Sequence, residues 1–95
     1  MNEKDPLKNI SNAILDFPTS NKIVGFEKYV LDNLHDNKEI ELFNDIWLTT
    51  INIDNWNFKS IQVGYNNTID ALKSKYNLDE QVCKFLANIA AYQWK

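Results

Sequence analysis

From Leu7 onward apolar residues return at every third or fourth position, with polar residues between them. That is the period of an amphipathic helix. Leu7, Ile10, Ile14 and Phe17 follow Asp5-Pro6, a capping side chain and a proline suited to the first helical position, and Pro18 closes the run. A second helix is predicted from a cap at Thr19 or Ser20, with Ile23, Phe26, Val30 and Leu34 on its apolar face and Val24 and Leu31 widening it. His35-Asp36-Asn37 interrupts that face. Asp36 and Glu39 then stand at capping-box spacing before a third helix carrying Ile40, Phe43, Trp47 and Ile51, with Leu42 and Ile46 beside them.

Between Leu48 and Phe58 the period fails. Thr49-Thr50-Ile51-Asn52-Ile53 alternates and is β-branched, as a strand would be, but no other segment reads as its partner. The expectation is a frayed helix end, then a loop or single helical turn near Asp54 that tucks in Trp56 and Phe58. Ser60 opens a further helix with Ile61, Tyr65, Ile69, Leu72 and Tyr76 on one stripe; Gly64 inside it costs about 1 kcal/mol relative to alanine and marks a close helix contact. Asn77 and Glu80 repeat the capping-box spacing. The last helix has one face of Val82, Phe85, Leu86, Ile89 and Tyr92 and a second of Cys83, Ala87, Ala90, Ala91 and Trp94, which predicts a central helix contacted from two sides. The fold class predicted is all-α, a compact bundle of five to six short antiparallel helices forming a single helical domain over residues 1–95.

Composition agrees with that picture and narrows it. Two glycines and two prolines leave little material for a turn-rich β architecture, and 12 aromatics must supply much of the burial in a chain of 95 residues. A single cysteine excludes an internal disulfide, and no apolar run approaches the roughly 18 residues of a membrane span. Met1 to Leu7 is polar where a signal peptide would be apolar, so a cytoplasmic location is expected. The net charge of −3, with all ten basic residues lysine, is the wrong sign for a general nucleic-acid binder and lacks arginine's bidentate fork.

Catalytic chemistry has little to work with. His35 lies near Asp32, Asp36 and Glu39, but a lone histidine at a helix end lacks the second histidine a metal site would want, and no metal or cofactor is predicted. Cys83 falls in the apolar half of its helix, remote from His35 and outside any CxxC, and reads as a buried small hydrophobe. Gly25 and Gly64 belong to no phosphate-binding motif, and no serine sits in a nucleophile elbow. Trp47 is on a core stripe, whereas Trp56 and Trp94 fit either the end of the core or an interface anchor. The chain is expected not to be an enzyme.

Charge is distributed unevenly. Residues 1–31 are net neutral; residues 32–58 carry −5 through Asp32, Asp36, Glu39, Glu41, Asp45 and Asp54 against Lys38; residues 59–95 carry +2. The prediction is an acidic surface around Asp32, Asp36, Glu39, Glu41 and Asp45 opposed to a lysine surface around Lys73, Lys75 and Lys84, with Trp94 as a candidate anchor. The succession of short helices, with the closing helix Leu78 to Lys95 and its Ala90-Ala91-Tyr92-Gln93-Trp94 tail, resembles the death-fold-like or effector-associated adaptor domains of bacterial defence systems. The resemblance implies a non-enzymatic protein–protein interaction module that recruits an effector by contact with a like helical domain or with itself. An alternative that the acidity and small size fit equally is a stand-alone inhibitor or immunity protein that blocks the basic site of a toxin or nuclease. Neither reading calls for nucleic acid or a membrane.

Overall fold

The helical period is realised as six segments in the computed structural model, which describes residues 6–17, 25–56 and 60–94. They are α1 (Pro6–Leu15), α2 (Phe26–Asp32), α3 (Asn37–Thr50), α4 (Ile53–Trp56), α5 (Ile61–Tyr76) and α6 (Glu80–Trp94). The protein is all-α, a bundle of five helices and one single-turn segment, with no strand among the described residues. The expected caps at Asp5 and at Thr19 or Ser20, and the tucked Phe58, lie outside the described residues.

Local chemistry sets the ends. Asp36 caps α3 by accepting from the Lys38 N–H at 2.8 Å, and Ser60 caps α5 by accepting from the Gln62 N–H at 3.1 Å. Gly25 precedes α2 at φ 85°, a left-handed backbone that glycine adopts without a Cβ penalty, and it delivers Phe26 straight into the core. At the α5–α6 junction the expected cap is corrected. Asn77 does not open α6; at φ 57° it closes α5, its N–H bound to the Lys73 carbonyl at 3.1 Å. Asparagine tolerates the left-handed conformation that ends many helices. The Asp79 carbonyl accepts the first bond of α6, from the Cys83 N–H at 3.0 Å.

One hydrophobic core joins the helices. From α6 it takes Val82, Cys83, Leu86, Ala87, Ile89 and Ala90, and this helix packs against α1, α3 and α5, as its two small and large faces require. Tyr92, expected on the same face, is instead 60% exposed. Phe26 sits among four other rings, with centroids 5.1 Å from Phe17, 5.2 Å from Trp47, and 6.2 Å from both Phe43 and Phe85. These edge-on and tilted contacts suit the ring quadrupoles.

Two faces are rotated from the sequence reading. On α3 the buried positions are Glu39, Phe43, Ile46, Trp47 and Thr50, with Ile40 and Ile51 only half-buried. On α5 they are Gly64, Thr68 and Leu72, while Ile61, expected on the stripe, is 41% exposed. The cause is Trp56. The single turn α4 folds its indole back so that Nε1 donates to the Thr50 carbonyl at 2.8 Å and the ring lies against the bare Cα of Gly64. A bulky side chain cannot occupy that side of α5, so its small residues turn inward.

Thr68 pays for this rotation. It is fully buried, and its hydroxyl has no hydrogen-bond partner among the described residues. Thr68→Val keeps the shape and removes an orphan polar group, and should raise stability by about 1 kcal/mol. A urea midpoint that moves upward with an unchanged slope is the expected result; a midpoint that falls would show the hydroxyl to be bonded.

Candidate functional site

The residues singled out by charge do not form two opposed surfaces. Segment sums along a sequence ignore packing, and here the acidic α3 lies directly against the lysine-bearing α5. Asp45 and Lys75 face one another across this seam at 3.8 Å. Lys75 also donates to Thr49 Oγ1 at 3.4 Å, Thr49 meets the Tyr76 hydroxyl at 2.9 Å, and Tyr76 donates to Asp45. Partial burial, then the bond to Asp45, holds the Tyr76 hydroxyl above its usual pKa. The other two lysines, Lys73 and Lys84, converge on Glu80 at 3.5 and 3.1 Å, and Lys84 foremost holds that exposed carboxyl below its usual range. The lysine surface is thereby balanced by carboxylates of the same molecule.

The acids likewise divide by role. Asp32 pairs with Lys28 at 2.9 Å on the exposed face of α2, and Asp36 is spent as the α3 cap. Glu39 is a correction to the predicted acidic surface. It points inward, only 7% exposed, and Oε2 accepts from Asn9 Nδ2 at 2.6 Å. Its capping-box position puts it next to α1, which recruits the carboxylate away from the α3 end. Glu41 alone of the five is exposed with no ion pair or cap bond among the described residues. Trp94 ends α6, and its side chain lies outside the described residues.

What remains open is the outer face of α3. Glu41, Asp45 and Leu48 lie within about 60° of arc on the helix surface at 100° per residue. All three are exposed, Leu48 to 64%. Asp45 bounds this face on the side of α5, held by Lys75 and Tyr76, so the apolar area of Leu48 is offered together with the one carboxylate, Glu41, that has no described ion pair.

A second feature, not read from sequence, is a polar groove of about 280 Å³ between α1 and the start of α3. Asn9, Asn12 and Ala13 line it from α1, Asp16 from just beyond its end, Asn33 and His35 from the α2–α3 connection, and Glu39 from the first turn of α3. The spacing of Asn9, Asn12 and Asp16 along one flank of the α1 apolar stripe was its only sequence signal. His35 is exposed there, and among the described residues no three His, Cys, Asp or Glu side chains stand close enough to hold a metal ion.

The nucleophile candidates resolve differently. Cys83 is fully buried, 3.8 Å from the Leu78 carbonyl, and burial pushes its thiol up to about 11. At neutral pH it is a protonated, inaccessible core atom. Trp47 and Trp56 are both buried, at 4% and 6% exposure, so each is a core residue. No described helix is long and apolar enough to cross a membrane.

These elements define a small all-α bundle. No family model, curated protein or solved structure matches the chain.

Proposed function

We propose that the chain is a non-enzymatic protein–protein interaction module, a small helical adaptor that offers the outer face of α3 to a protein partner. The observation that carries this reading is Leu48, 64% exposed on the same face as Glu41 and Asp45. Apolar anchors ringed by polar groups are the usual anatomy of a contact surface. The partner's complementary surface presents an apolar socket with cationic groups beside it. Its resemblance to bacterial defence adaptors gives the module a setting, recruitment of an effector in the cytoplasm by a like helical domain or a second copy of the chain.

Self-association driven by acidic and lysine surfaces has less support, because the lysines it would use are already paired within the molecule. Contact through Leu48 and Glu41 does not depend on them. A photo-reactive amino acid at position 48 should yield one discrete protein adduct in the source cell. Glu41→Lys should weaken that adduct at least threefold while the melting temperature stays within about 2 °C, since Glu41 makes no described ion pair. No discrete adduct, or one indifferent to Glu41→Lys, would remove the α3 face from the case. An adduct with an enzyme that loses activity in the complex would make the chain an inhibitor.

A further inference from the structure

The groove beside α1 is rich in oxygen acceptors, with two carboxylates among three amides. Asn9 gives its amide nitrogen to Glu39 at 2.6 Å, and Asn33 gives its own to the Tyr29 carbonyl at 2.8 Å. Each therefore has one N–H engaged and keeps its carbonyl oxygen as an acceptor. Asp16 adds a carboxylate, and Glu39 a second oxygen beyond the one Asn9 holds. Glu39 is the unusual member, because a glutamate only 7% exposed is ordinarily matched by a cation, whereas its described partner is a neutral amide. Among the described residues no lysine lines the groove, and the four ion pairs found among them engage Asp32, Asp45 and Glu80 instead.

We infer that this groove receives a guanidinium group, the side chain of an arginine on a protein partner. A metal ion needs ligands converging at roughly 2 to 2.6 Å, and the acids and His35 are too dispersed to provide them. An anion would meet two carboxylates. A planar guanidinium, with five N–H donors spread around its rim, matches acceptors spread around a cleft. The volume of about 280 Å³ falls just below the usual range of small-molecule pockets, and Asn9, Asn12, Asp16, Asn33 and His35 are all exposed along its mouth, as entry by a side chain from outside requires. Glu39 is the deep acceptor and Asp16 the outer one. The inference is independent of the α3 face, since Glu39 points away from that face and into the bundle.

The test is NMR titration of the intact chain, following the side-chain amide signals of Asn9, Asn12 and Asn33. N-acetyl-arginine amide, which mimics an arginine within a chain, should shift them saturably with a Kd on the order of 1 mM. N-acetyl-citrulline amide, nearly isosteric but neutral, should bind at least fivefold more weakly. Free L-arginine should also bind more weakly than the capped form, because its own carboxylate meets Asp16 and Glu39. Asp16→Asn and Glu39→Gln should each weaken the capped arginine at least threefold. Asp16 is exposed beyond the end of α1, so its variant reports on the groove even where Glu39→Gln disturbs the Asn9 contact. Absence of saturation, equal affinity for citrulline, or an indifferent Asp16→Asn overturns the guanidinium site. Tighter binding of free arginine overturns the assignment to a partner's side chain and gives the site to a small guanidino compound.

Discussion

Replacing Phe26 with alanine should remove about 3 to 5 kcal/mol of folding stability, the largest effect expected of any single truncation in this chain. The ring is 2% exposed and stands between the end of α1, the middle of α3 and α6, in contact with Phe17, Phe43, Trp47 and Phe85. Its deletion opens a cavity walled by rigid rings that cannot collapse into it, and it also forfeits edge-on contacts worth about 0.5 to 1.5 kcal/mol per pair. A domain of this size holds on the order of 5 to 14 kcal/mol in total. The variant is accordingly expected to melt at least about 12 °C lower, at roughly 4 °C or more per kcal/mol, or to be unfolded at 25 °C. Phe26→Leu keeps most of the volume and loses the ring pairs, and should cost less than half as much. Thermal unfolding followed by circular dichroism reads both. An alanine variant within about 1 kcal/mol of the parent would show that the aromatic cluster does not hold α2 to the bundle.

The position of Phe26 explains why a helix of seven residues can be stable at all. Isolated segments that short are not helical in water, so α2 exists because its first residue is an anchor. Periodicity found Phe26 and Val30, since both are large, apolar and four apart. It could not find the start of the described helix, because the left-handed turn at Gly25 is a backbone property that leaves no mark on the hydrophobic pattern.

The same division runs through the rest of the chain. Elements whose apolar residues are large were legible: the α1 stripe, Trp47 in α3, and α6 as the central helix. Asp36 and Ser60 were legible as caps because a short polar side chain ahead of a periodic run has a specific hydrogen bond to make. The core face of α5 was not, because burial there falls on Gly64 and Thr68, residues with little hydrophobicity of their own, and is imposed by an indole from another element. The candidate sites fared worse for a related reason. Charge sums along the chain suggested separate acidic and lysine surfaces, but the seam at Asp45 and Lys75 and the inward turn of Glu39 depend on which helices become neighbours. Glu41, Asp45 and Leu48 could be placed on one face from spacing alone; that the face stays uncovered could not.

Gly64→Ala should destabilise the protein by about 1 to 3 kcal/mol, opposite in sign to the rule for a glycine inside a helix. Backbone entropy alone favours alanine there by about 1 kcal/mol. A methyl group at this position, however, would overlap Cε3 of Trp56 and stand 2.9 Å from Cζ3 and 3.0 Å from Cδ2. The indole has no easy retreat, being 6% exposed and tethered through Nε1 to the Thr50 carbonyl at 2.8 Å. Moving it strains the packing at a typical cost of 1 to 3 kcal/mol and weakens a buried hydrogen bond worth about 1 kcal/mol. The decisive control is the background Trp56→Ala, itself destabilising, in which the obstacle is gone. There Gly64→Ala should become stabilising by about 1 kcal/mol, so the two substitutions couple by about 2 to 4 kcal/mol in a double-mutant cycle. Urea midpoints of the four proteins measure that coupling. Additive effects would mean that Trp56 does not rest on Gly64, and that the inward turn of Thr68 needs another cause.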